Sequence, residues 1–137
     1  NGPVEVDRIA GIYTGQPAGT VIGQAVQQMK LGMKQLYGVD LKEVADATTV
    51  PAGQSLIVLG GKAALATGAA KQKDLADLGF HGYVILCGGN RIVIVGDDDW
   101  ATYYGVLEFR NPFLSPRSLQ SVRPEGAGAY HCSLHVA

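Results

Sequence analysis

FHGYVILCGGNRIVIVGDDDWATYYGVLEF, residues Phe80–Phe109, decides the fold. Tyr83–Cys87 and Arg91–Val95 are rich in β-branched and aromatic residues. Gly88-Gly89-Asn90 between them supplies the positive-φ positions that a short loop demands, so the pair reads as a β-hairpin. The second strand, Ile92-Val93-Ile94-Val95, is apolar at every position instead of alternating, which implies that both faces of the sheet are covered there. After Gly96, the carboxylates of Asp97, Asp98 and Asp99 can accept bonds from the free amides of a helix start and are favoured by its dipole. A helix is expected over Trp100–Phe109. Asn111-Pro112 stops it, because proline has no amide hydrogen and disfavours helical geometry in the residue before it.

Upstream, Val4–Tyr13 alternates loosely and reads as a strand ending at Thr14-Gly15-Gln16-Pro17. In Thr20–Tyr37, Ile22, Val26, Met29, Met33 and Leu36 recur at steps of four, three, four and three, which gathers them on one helix face. Thr20 is the expected N-cap and Gly38 the terminator. Gly23 and Gly32 inside this helix cost roughly 1 kcal/mol each relative to alanine, and suggest close backbone packing against a sheet. A short strand is expected near Leu41–Val44, a break at Pro51-Ala52-Gly53 and another apolar strand at Ser55–Leu59. The alanine- and lysine-rich stretch over 60–79 reads as one or two short helical pieces. Beyond Phe113 no periodicity is sustained. The expected organisation is one α+β domain over 4–110, a mixed sheet with a β-hairpin and helices packed on it, followed by an irregular C-terminal segment over 111–137. A doubly wound parallel sheet fits less well, because the clearest strand pair is a hairpin.

At 137 residues and 47% hydrophobic composition the chain can bury a real core as one domain. Eleven Lys and Arg against twelve Asp and Glu, with no basic run, argue against a nucleic-acid partner. No stretch approaches the length of uninterrupted apolar sequence that a membrane helix requires, so no membrane role is expected. The chain starts at Asn1 instead of Met, which reads as a processed product or a piece of something longer. A removed signal peptide, and with it a secreted or periplasmic location, stays open. Two cysteines, Cys87 and Cys132, do not define a disulfide, since pairing depends on Cα geometry; buried thiols are the simpler reading.

Candidate chemistry is sparse. Leu56–Lys62, LIVLGGK, has the strand, glycine and lysine flavour of a phosphate loop, but neither G-x-x-x-x-G-K-[ST] nor G-x-G-x-x-G is present, and a strand ended by a glycine turn accounts for it. Asp97, Asp98 and Asp99 could ligate calcium or magnesium; adjacent positions rarely converge on one ion, and helix capping suffices. His131, Cys132 and His135 form the most metal-like cluster, with His81 or Cys87 as isolated further ligands and no H-E-x-x-H. No G-x-S-x-G elbow and no cysteine signature beside histidine points to a nucleophile. No catalytic residue, metal ligand set or cofactor is therefore assigned. Trp100, Tyr103, Tyr104 and Phe109 could form a sugar-stacking platform, although helical spacing of this kind more often marks core or interface.

The same thirty residues, through Gly82, Tyr83, Ile85, Asn90, Ile92, Ile94, Gly96, Tyr104, Gly105, Val106 and Phe109, resemble the small α+β domain that precedes the catalytic barrel in alpha-glucuronidases, beta-N-acetylhexosaminidases and related glycoside hydrolases. The resemblance covers about residues 4–110. It implies a zincin-like α+β topology without the metal centre, in agreement with the missing H-E-x-x-H. In that family the helix continues into a barrel that carries the catalytic carboxylates; here RNPFLSPRSLQ follows, and a barrel needs about 200 residues or more. The resemblance thus implies a non-catalytic accessory domain of a carbohydrate-active enzyme. Its expected partner is a catalytic barrel, another protein domain or a second copy of itself, reached through an apolar sheet face or the Trp100–Phe109 helix. The alternatives are a small sugar- or anion-binding module, and a small metal-binding hydrolase built on His131, His135 and Cys132 or Cys87.

Overall fold

A computed structural model describes residues 4–15, 19–69, 72, 78, 82–88, 90–110, 128–131 and 134–135. Its elements are β1 (Val4–Glu5), β2 (Ile9–Tyr13), α1 (Thr20–Tyr37), β3 (Ser55–Leu59), α2 (Gly61–Ala66), β4 (Tyr83–Gly88), β5 (Arg91–Gly96), α3 (Asp99–Phe109), β6 (Gly128–His131) and β7 (Leu134–His135). Five strands form one mixed sheet in the order β2-β3-β5-β4-β6, and β1 pairs with β7 separately. The class is α+β, as expected. The hairpin β4–β5 is antiparallel, with Ile85 opposite Ile94 and Cys87 opposite Ile92. The other three pairings of the large sheet are parallel. Parallel pairing thus prevails around the one hairpin that the sequence makes plain.

Alternation along the inner strands sorts side chains into two cores. Ile57, Leu59, Ile85, Ile92 and Ile94 face α1 and α3, where they meet Ile22, Val26, Met29, Met33, Val106 and Phe109. Leu56, Val58, Val93 and Val95 face the other way, against Ala63 and Ala64 of α2 and the partly buried Val44, Ala47 and Val50. Both faces of β3 and β5 are therefore covered, as the unbroken apolar run Ile92–Val95 requires. Among the described residues of this sheet Leu86, on β4, is the exposed large apolar side chain.

Several boundaries differ from expectation for local reasons. Helix α1 begins at Thr20 itself, and its N-cap is Gly19, in extended conformation and without a side-chain cap. Gly38 ends it at φ 72°, donating to the Lys34 carbonyl at 2.9 Å, as a left-handed terminator should. Val4–Tyr13 is interrupted by a 3-10 turn at Val6–Arg8. The expected strand near Leu41–Val44 is a single bridge: Ile12 donates to Lys42 O at 2.9 Å and accepts from Val44 N at 2.8 Å, after which the chain turns into a one-turn 3-10 helix at Ala47–Thr49 capped by Asp46. Gly32 packs not on the sheet but under Arg110 at the end of α3, where an added Cβ would lie 2.7 Å from the arginine Cβ. Beyond residue 110, β6 runs parallel to β4 with Tyr83 opposite Gly128 and Leu86 opposite His131, which corrects the expectation of irregular structure for residues 128–131 and 134–135. The rest of the expected 111–137 segment, Asn111-Pro112 included, and most of the second helical piece in 60–79 lie outside the described residues.

Candidate functional site

The junction from β5 into α3 is built by its own side chains. Asp98 caps the helix, its carboxylate accepting from Ala101 N at 2.8 Å. The Asp97 amide donates to Gly82 O at 2.8 Å, tying the junction to the approach to β4. Thr102, fully buried, accepts from Gly96 N at 2.9 Å and so supplies the partner that the sheet does not. Gly96 has no room for a methyl group, since a Cβ would collide with Ala101 and the Thr102 backbone. One turn on, Gly105 lets the helix down onto β4 and β5: a Cβ there would stand 2.8 Å from Ile94 Cγ2 and 3.2 Å from the Tyr83 ring.

Seated this way, α3 buries Ala101, Thr102, Gly105, Val106 and Phe109. Its opposite side is not polar. Trp100 and Tyr104, one turn apart, are 47% and 44% exposed, with Tyr103 and Leu107 half-buried beside them. The Trp100 ring meets Tyr103 edge-on at 6.0 Å and lies 6.5 Å from Tyr104 at an interplanar angle of 31°. Asp97, Asp98 and Asp99 rim the N-terminal end. On the flank towards β4, the Tyr83 hydroxyl donates to Glu108; burial, this bond and the Glu108 charge all hold the phenol well above its ordinary value. A helix this apolar belongs in an interior, yet Trp100 and Tyr104 on its outer face are nearly half exposed.

The four aromatics singled out in the sequence therefore separate. Phe109 is core, Tyr103 is half-buried, and Trp100 and Tyr104 form a surface platform. Of the three aspartates Asp98 has the capping role, and among the described residues no group of three His, Cys, Asp or Glu side chains converges as a metal site would require. His131 lies on β6 of the large sheet and His135 on β7 of the two-stranded one; Cys132 and His81 lie outside the described residues. Cys87 falls within β4. In the phosphate-loop candidate, Gly60 sits at φ 93° and its amide is already donated to Ile94 O at 2.9 Å, so it closes the sheet instead of facing an anion. Among the described residues no helix is long and apolar enough to cross a membrane.

One constellation escaped sequence reasoning. The Arg110 guanidinium spans to α1, donating from Nη1 to Gln28 Oε1 at 2.8 Å and from Nη2 to Gln35 Oε1 at 2.9 Å. The only hint was Gln28, Gly32 and Gln35 on one helix face with a glycine between them, a pattern that names no partner.

Fold and site together define an α+β domain whose most distinctive surface is an aromatic helix face. No protein-family model matches the chain, and no curated protein sequence matches it.

Proposed function

We propose that this chain is a non-catalytic accessory domain of a carbohydrate-active enzyme, such as a glycoside hydrolase, and that it docks on a catalytic barrel or another protein domain through the outer face of α3. The observation that carries the reading is the exposure of Trp100 and Tyr104 on a helix that is apolar all round. Large aromatics are enriched in the centres of protein interfaces, where they bury much area at little entropic cost. The sequence resemblance to glycoside hydrolase accessory domains supports the parent class.

Because Trp100 is the sole tryptophan, its fluorescence reports this face alone. The purified chain should associate as its concentration rises, with a blue shift of Trp100 emission, and a Trp100→Ser/Tyr104→Ser variant should sediment as a monomer. It should cleave no glycoside. Strictly monomeric wild-type protein, or hydrolysis of nitrophenyl glycosides by the chain alone, would overturn the proposal.

The second reading, a sugar-binding module, has the Trp100–Tyr104 platform in its favour, since exposed aromatic rings can stack on pyranose faces. Saturable quenching of Trp100 by an oligosaccharide, without change in sedimentation, would select it.

A further inference from the structure

Arg110 carries a fixed positive charge that no carboxylate among the described residues neutralises. Its two described acceptors, Gln28 and Gln35, are neutral amides, which orient the guanidinium without balancing it. Among the described residues no carboxylate pairs with it: the ion pairs beside α1 are Lys30 with Glu43 at 3.4 Å and Lys34 with Asp40 at 3.1 Å, so both acids are engaged with lysines. Over its eighteen residues α1 has no acidic side chain at all. The dipole at the end of α3 supplies about half a negative charge at most. Among the described residues the buried Nε has no acceptor, and two of the five N–H donors of the group are engaged. Were the purpose only to tie two helices, a glutamate at 28 or 35 would accept the same bond and also balance the charge, whereas the amides accept and leave the charge in place.

The surroundings give the missing group a shape. Gln28, Leu31 and Gln35 share one face of α1, and Gly32 between them makes room for the arginine stem. Leu31 is 44% exposed at the centre of this face, and the Gln35 end of the clamp is open to solvent. The ensemble is a planar cation held in one orientation by two neutral amides beside an apolar step, and among the described residues no carboxylate bonds to it.

We propose that Arg110, positioned by Gln28 and Gln35, is an anchor for an acidic side chain of a partner protein, an apolar neighbour of that residue lying on Leu31. The site is separate from the α3 aromatic face and does not depend on that face being an interface.

The test uses N-acetyl-Leu-Glu-amide as probe, with the isosteric N-acetyl-Leu-Gln-amide as control, titrated into labelled protein while the Arg110 Nε–H and Leu31 methyl resonances are followed. The glutamate peptide should shift both signals saturably, and the glutamine peptide should bind at least tenfold more weakly. Arg110→Gln should abolish the response. Gln28→Glu, which supplies a carboxylate from within the fold, should abolish it too while keeping the guanidinium and the structure in place, so the result stands even if Arg110→Gln fails to fold. Equal shifts with both peptides, or undiminished binding in Gln28→Glu, would overturn the proposal. A concentration-dependent shift of Arg110 without any peptide, in the Trp100→Ser/Tyr104→Ser variant that removes association through α3, would overturn it in favour of a second copy of this chain.

Discussion

A methyl group at residue 96 has nowhere to go. It would strike the backbone of Thr102 as well as the Ala101 side chain, and backbone at a strand-to-helix junction that is bonded on both sides cannot step aside. Gly96→Ala should cost about 3 kcal/mol, the upper part of the range for overpacking, read as a drop in the urea midpoint. Adding Ala101→Gly should not restore it, because the backbone contact remains. Tyr83 offers a test by pH. Its phenol is held above its ordinary value of 10.0, first by burial and then by Glu108, so the folded state keeps the proton more tightly than the unfolded chain does. That contribution is complete below pH 10.0 and is lost as the pH rises from there through the higher folded value. In alkaline unfolding series, wild type should therefore lose stability above pH 10 more steeply than Tyr83→Phe. At this scale the sequence was legible where a residue acts on its own neighbours. Asp98 caps the next amides and Gly38 closes its own helix, so composition reveals both. Arg110 acts on Gln28 and Gln35 across 82 and 75 positions, and local pattern carries no trace of such a contact.

Among the elements, α3 is the one whose placement matters most, and two bonds at its start fix it. Removing the cap with Asp98→Ala should cost about 1 kcal/mol. Thr102→Val keeps the shape but leaves the buried Gly96 amide without an acceptor, and should cost about 2 kcal/mol, the larger loss of the two in the same denaturation experiment. The converse order would show that the cap, not the buried bond, holds the junction. Strong local signals read true for elements as well: the hairpin, Ser55–Leu59 and the long amphipathic α1 all stand where periodicity puts them. The failures share one cause. The Leu41–Val44 strand shrinks to a bridge, and β6 and β7 arise where no periodicity exists, because a strand at a sheet edge is defined by the backbone it meets more than by its own residues.

For the whole molecule, the strand order β2-β3-β5-β4-β6 places the hairpin in the interior of the sheet and lets α1 and α3 share one of its faces. The mixed class was legible from the hairpin; the prevalence of parallel neighbours was not, since each depends on a crossover whose partner is chosen by tertiary packing. Of the candidate site, the aromatic set was visible in the sequence, but its division into core and surface required knowing which side of α3 meets the sheet. Trp100→Ser/Tyr104→Ser should change unfolding free energy by no more than about 0.5 kcal/mol, as expected for surface positions, while removing association. A loss of several kcal/mol would instead mark the platform as part of the domain's own interior.

The pairing of β1 with β7 sets Val4 beside Leu134 and Glu5 beside His135, the spacing of adjacent strands being about 4.8 Å. Backbone from opposite extremes of the sequence thus meets at one point of the fold. A circularly permuted version, spliced across that point by a short linker and opened at the exposed Pro51-Ala52-Gly53 break, would preserve every described strand pairing. The unit could likewise sit as an insert within a loop of a larger host, entering and leaving through the same doorway.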